Sequence, residues 1–311
     1  MQTSRYIVKR ILLALVSLFA IITITYFLMN LMPGDPFMSE KASEENRAIL
    51  IAKYGLDQPV YVQYGKYLEN LLHGDMGTSY VLQKGRAVKD IIFESFQVSM
   101  GLGVRALLLA IVCGIILGCI AGLCKDKLPD AIIRVFSSIG ISMPGYVIAS
   151  GLMIFLAVNL KVLPVNYNKP GGWVMPMLTL AISMSAKYMR QVRAAVLEEL
   201  NKDYVQGARA RGIRESVILW KNVIKSAMLT IITLLALSIG SLLGGTAIIE
   251  SIFMWDGVGK MAVDAITMRD YPIIQAYVAW MALIYVIVNL ITDLLYHCLD
   301  PRIRLGVNQN G

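Results

Sequence analysis

The chain is predicted to be an all-α integral membrane protein with about six transmembrane helices and both termini in the cytoplasm. Three observations predict this. Of 311 residues, 57% are hydrophobic and only 16% are charged, with a mean hydropathy of +0.62, far from a soluble domain. The charges are segregated, leaving charge-free runs at 11–34, 106–124, 135–160, 170–186, 226–249 and 271–292. Each run approaches or exceeds the ~20 residues that span ~30 Å of hydrocarbon as a helix. The spans must be helical, because an unpaired backbone group in lipid costs several kcal/mol and a helix satisfies its own. Finally, Lys and Arg concentrate in alternate loops, the pattern of cytoplasmic retention.

Taken in order, Arg5, Lys9 and Arg10 hold the N-terminus inside. The first apolar run continues to Met32 and ends in the turn sequence Pro33-Gly34-Asp35-Pro36. It exceeds the ~7–15 residues of a signal-peptide core, so it reads as a retained span. Residues 34–97 carry slightly more acid than base and form an extracytoplasmic cap, with helix-like stretches at 43–53 and 60–72 and a turn-rich segment at 74–79. Residues 87–96 have apolar positions at helical spacing and suit the interface before the second span. Arg105, at the start of that span, faces water or a partner; it either holds a solute carboxylate or snorkels to the outer interface.

Lys125, Lys127 and Arg134 mark the next cytoplasmic turn. In the third span Pro144-Gly145 is expected to kink the helix, exposing carbonyls to a translocation path or serving packing alone. The fourth span, 170–186, is the shortest run; Gly240, Gly244 and Gly245 suit close packing in the fifth, and Arg302 and Arg304 place the tail inside. The organisation is thus a tail and first helix (1–33), a cap (34–97) and a five-helix core (98–311) containing a cytoplasmic loop at 198–227.

Several function classes are disfavoured. The net charge of +8 and pI near 9.2 follow from cytoplasmic loops and need no nucleic acid. Cys113, Cys119, Cys124 and Cys298 lie in or beside spans, where neither a disulfide framework nor a metal site is expected. His73 and His297 fall on opposite sides, and neither Gly-x-Ser-x-Gly nor His-Glu-x-x-His occurs, against an embedded enzyme. An independent carrier would place paired ionisable residues at mid-membrane or show an inverted repeat, and neither is visible.

The connector at 198–227 is too long for a simple helix-to-helix turn. Asp203 suits a helix N-terminus; Gly207, Ala208, Ala210 and Gly212 leave the stretch from Tyr204 to Gly212 nearly bare of bulk, so another protein can approach closely. Arg209, Arg211 and Arg214 put positive charge into the cytoplasm, either for that partner or for anionic lipid. After the break at Gly212, Glu215 to Ala227 resumes as an amphipathic helix, with Val217, Ile218, Val223 and Ile224 apolar.

This loop and its surroundings resemble the permease subunits of type I ABC importers, in the branch handling dipeptides, oligopeptides and nickel. That family's cytoplasmic signature is Glu-Ala-Ala, three variable residues and Gly; here it reads Gln206-Gly207-Ala208-Arg209-Ala210-Arg211-Gly212, matching at Ala208 and Gly212. Further matches are Pro33-Gly34-Asp35-Pro36, Tyr54-Gly55-Leu56-Asp57-Gln58-Pro59, Gly74-Asp75-Met76-Gly77-Thr78-Ser79 and Leu299-Asp300-Pro301-Arg302, in order along nearly the whole chain. Thr230 stands where the family commonly has proline.

The resemblance implies a bacterial inner-membrane permease that imports peptides, with nickel or a metal chelate as the alternative solute. No Walker sequence is present, so ATP and Mg would be bound by partner ATPase subunits. The segment Asp203, Tyr204, Gln206, Gly207, Ala208, Arg209, Ala210, Arg211 and Gly212, with Glu215, would couple mechanically to those subunits. The implied assembly adds a second homologous permease, two ATPases and an external solute-binding protein landing on the cap.

Overall fold

A computed structural model describes residues 2–31, 51, 55–165, 169–226 and 246–299. Among them the chain is helical, with one isolated bridge between Thr78 and Ala87. The helices are α1 (Gln2–Leu31), α2 (Val60–Leu72), α3 (Val88–Leu123), α4 (Leu128–Ser142), α5 (Gly145–Leu152), α6 (Val174–Leu200), α7 (Asp203–Ala210), α8 (Glu215–Val217), α9 (Ala247–Ile252), α10 (Val258–Met268) and α11 (Tyr271–Leu299). Wider π-helical turns continue α5 over Met153–Asn159 and α8 over Ile218–Val223. The Pro33–Pro36 turn, the stretch 43–50, Thr230, Gly240, Gly244, Gly245 and the Asp300–Arg302 motif lie outside the described residues.

Three described helices are long and apolar enough to cross a membrane: α1 from Arg10, α3, and α11 to Ile291. A bent pair has the length and apolarity of a broken span or a re-entrant loop: α4 and the α5 segment through Asn159 meet at 108°. The kink expected at Pro144-Gly145 is therefore a sharp elbow. Met143 is extended, Pro144 has no N–H to donate, and its carbonyl accepts from Val147 and Ile148 as the first turn of a new helix. The expected fourth span differs more. Its helix, α6, begins only at Val174 and meets Lys187 after about 20 Å of rise, so it is not apolar enough over its length to count as a crossing. Residues 88–96 belong to α3 itself rather than to a separate interfacial helix, and Ala87 pairs with Thr78 just before it.

The chain divides into two compact units, Met1–Ser99 with Asp256–Gly311, and Met100–Trp255, the boundary falling inside α3. In the first, α1 packs along α11. The core joins Met29 of α1, Ile91 and Ile92 of α3, Met261 and Ala265 of α10, and Ile273 and Ala276 of α11. The Phe96 and Trp280 rings meet edge to face at 5.6 Å, a favoured aromatic geometry.

In the second unit α3 lies unusually close to α6. A Cβ placed on Gly114 would stand 2.4 Å from Tyr188 Cβ, on Gly118 2.6 Å from Val192 Cβ, and on Gly122 2.7 Å from Val196 Cγ1. These glycines recur every four residues and face a matching four-residue repeat, the small-residue contact that lets helices approach in lipid. The other side of α3 presents Leu108, Val112, Ile116 and Ile120, all exposed in the chain alone, as a lipid- or subunit-facing stripe.

Candidate functional site

The basic connector leaves α6 at Leu200 and folds as expected into a short helix, a turn and a second helix. Asp203 supplies negative charge to the first turn of α7. At the other end Gly212 adopts φ +72°. Its N–H bonds to the Arg209 carbonyl at 2.9 Å, and the Ile213 N–H reaches Ala208 O at 3.2 Å. This is the double closure of a helix ended by a left-handed residue, and glycine takes that conformation without steric cost.

Spacing along α7 separates two faces. Val205 and Ala208 are buried against Val192 and Val196 of α6, Ile218 and Val223 of the next segment, and Cys119 of α3. Tyr204, Gln206, Gly207, Arg209, Ala210 and Arg211 lie on the exposed side. Ala208, expected among the small residues offered to a partner, thus anchors the helix inward. A Cβ on Gly207 would meet nothing within 4 Å, so the centre of the outer face is open.

Polar contacts hold this geometry. The Tyr204 hydroxyl donates to Glu199 Oε2 at 2.8 Å, and Lys202 pairs with the same carboxylate. Burial, then the Glu199 contact, raises the Tyr204 phenol above its ordinary pKa, so it remains a donor at neutral pH. Arg209 forks onto Glu215 at 3.1 and 2.5 Å, clamping α7 to α8 and holding the Glu215 carboxyl below the usual range. Arg211 Nε donates to Gly207 O at 3.1 Å.

Sequence reasoning missed the ion pair above the connector. Arg193 of α6 donates from Nε to Asp130 Oδ1 at 2.6 Å and from Nη2 to Oδ2 at 2.9 Å. Asp130 also accepts the Asp126 N–H at 3.0 Å, with Arg134 at 3.6 Å. α6, which continues through Lys202 into α7, is thereby pinned to the start of the broken helix. Pro144 and Gly145 sit at its elbow, where a Cβ on Gly145 would lie 3.4 Å from Ile249 Cδ1. Arg105 stands apart from these residues, its guanidinium 5.2 Å from the centre of the Trp173 ring, within cation–π range. Among the described residues no carboxylate forms an ion pair with it.

The sequence matches two families. Residues 3–102 match the N-terminal part of binding-protein-dependent transport system membrane components, and residues 114–305 match the binding-protein-dependent transport system inner membrane component. The dipeptide transport system permease protein DppB of Lactococcus lactis subsp. cremoris is 36% identical, covering 97% of this chain and 99% of its own length. The glutathione transport system permease protein GsiC of Escherichia coli K12 is 32% identical, covering 96% and 98%. The fold is shared with a crystal structure of an amino acid ABC transporter (TM-score 0.57, 15% identity, 67% of this chain and 94% of that one). It is also shared with the inward-facing MetNI methionine ABC transporter (TM-score 0.53, 13% identity, 68% and 96%). A helical bundle with apolar crossings and a structured basic cytoplasmic connector, matched over nearly its whole length, places this chain in the family of binding-protein-dependent transport system inner membrane components.

Proposed function

We propose that the chain is the permease half of a peptide importer, moved by ATP that partner subunits bind with Mg and hydrolyse. The observation carrying the coupling part is α7. Its inner face is bolted to α6 and the following helix, and its outer face is open at Gly207, so a push on it moves the bundle rather than bending a loop. Nucleotide-driven closure of two ATPases would then rock the attached helices between inward- and outward-open states. The peptide part is supported by the two relatives, whose names specify a dipeptide and glutathione, itself a peptide. A second permease, which need not be a copy, would complete the path, and an external solute-binding protein would deliver to the cap.

The test is Gly207→Glu in the assembled complex in liposomes. Because open space surrounds Gly207, yield and thermal midpoint should match the parent while uptake driven by ATP falls to the background of empty liposomes. Unchanged uptake per ATP hydrolysed would remove α7 from the coupling role.

Arg105 enters this reading as a solute-facing cation, stacked on Trp173 so that its donors are preoriented for a carboxylate. A hydrogen bond to a charged group contributes ~1.5–3 kcal/mol, so Arg105→Gln should weaken peptides with a free C-terminus about ten-fold or more and leave C-terminally amidated ones unaffected. Equal transport of both by the variant and the parent would return Arg105 to a purely interfacial role.

A further inference from the structure

A cavity of about 440 Å³ opens within the first unit, on the cap side. That volume falls in the ~300–1,000 Å³ range of small-molecule sites. Its walls come from the end of α1, one face of α2, the loop after α2 and the start of α11. The groups offered are amides and phenols, among them Asn30, Tyr67, Asn70 and Gln275, with one cation, Lys66, and one anion, Asp75, among the described residues. Lys66, Tyr67 and Asn70 share a face of α2 by their spacing.

Both charges retain capacity. Lys66 Nζ donates to Gln58 Oε1 at 2.9 Å, one of the three bonds an ammonium can make. Asp75 accepts the Gly77 N–H through Oδ1 alone, at 2.8 Å. The Tyr67 ring stacks on Tyr26 at 5.2 Å. Burial, reinforced by Tyr26 and Tyr64, pushes the Tyr67 phenol up to about 12, so it is a neutral donor. Two walls are also fixed relative to one another. Asp270, just before α11, accepts from Ser79 and from the N–H groups of Tyr80, Val81 and Leu82, and Tyr80 and Tyr271 both line the cavity.

We propose that this cavity is a peptide-binding subsite on the extracytoplasmic face, where Lys66 takes the carboxylate of a short peptide, Asp75 takes its ammonium and the amide side chains take its backbone. One cation and one anion among side-chain amides match a zwitterion built of amide bonds. Recognition through termini and backbone leaves the peptide's own side chains unread. The proposal rests on the peptide-import reading, adding to it a stop on the cap before the membrane path.

The test uses the assembled complex without its solute-binding protein, in nanodiscs, with di-, tri- and tetra-alanine as probes in saturation-transfer NMR. The parent should transfer saturation to the alanine methyl groups. Lys66→Met and Asp75→Asn should each abolish the transfer, with thermal midpoints unchanged because both side chains are exposed. N-acetylated probes should bind parent and Asp75→Asn equally weakly. Transfer that survives both variants, or is missing in a parent that imports these peptides when reconstituted in liposomes with its solute-binding protein, overturns the subsite and leaves peptide import standing. A parent that neither binds nor imports any of them overturns both.

Discussion

Replacing Arg193 with methionine is expected to destabilise the second unit by about 3–5 kcal/mol, the cost of stripping one partner from a buried ion pair. Asp130 is fully buried, while the Arg193 side chain keeps 21% of its exposure. The Arg193→Met variant therefore strands a carboxylate out of reach of water, with Arg134 only at 3.6 Å. Asp130→Leu leaves an arginine that can still turn toward solvent, so it should be the milder change. Thermal unfolding in detergent should rank the two that way. The double variant Asp130→Leu with Arg193→Met should recover most of the loss, since a buried pair replaced by apolar residues of similar volume is often neutral. Losses that simply add in the double variant would show that the two side chains are not coupled. On the coupling reading, the pair also carries motion. α7 follows α6 after only Asn201 and Lys202, α6 holds Asp130 through Arg193, and Asp130 sits in the first turn of the helix that breaks at Pro144. The milder single variant, if assembled, should hydrolyse ATP with reduced uptake.

What the sequence made legible here is mostly local. Charge-free runs located α1, α3 and α11 because lipid demands apolar side chains at every position of a crossing, and Gly212 announced the end of α7 because left-handed backbone favours glycine. The fourth span was placed too early because apolarity over 170–186 does not show where a helix begins; the turn at 169–173 consumes the first part of that run. The elbow at Pro144 was legible as a break, but its 108° angle depends on what packs around it. Pairings between distant residues left almost no trace. Asp130 and Arg193 are 63 positions apart, and each taken alone reads as a positive or negative loop residue. The Gly114, Gly118 and Gly122 spacing also went unread in the sequence, because its meaning needs the facing helix. For the site, the inward turn of Ala208 follows from its three-residue offset from Val205, a pattern obscured by attention to residue size.

The second large effect is expected at Asp270, where alanine should cost the first unit roughly 3–5 kcal/mol, from several donors each losing about 1–3 kcal/mol when left unsatisfied, part of it restored by water. The carboxylate is fully buried. Its Oδ2 accepts from Ser79 Oγ at 2.6 Å and from the N–H groups of Val81 and Leu82 at 2.9 Å, and Oδ1 accepts the Tyr80 N–H at 3.1 Å. Ser79 Oγ in turn accepts the Gln83 N–H at 2.9 Å, so removing the carboxylate frees a hydroxyl that holds the next turn of the loop. Successive backbone N–H groups curled around one anion form a nest, here filled by a side chain 191 positions from Ser79. Asp270→Asn separates charge from shape. Its oxygen can occupy the Oδ2 position and keep three donors, but its NH₂ then faces the Tyr80 N–H, so asparagine should fall between the parent and alanine. Amide hydrogen exchange of Tyr80, Val81 and Leu82 reads the clamp directly. Protection should drop in alanine, drop less in asparagine, and change little at Ile91 and Ile92, which are held by the core of the same unit. Equal protection in all three proteins would mean that the loop is held by other contacts and that Asp270 is incidental to it.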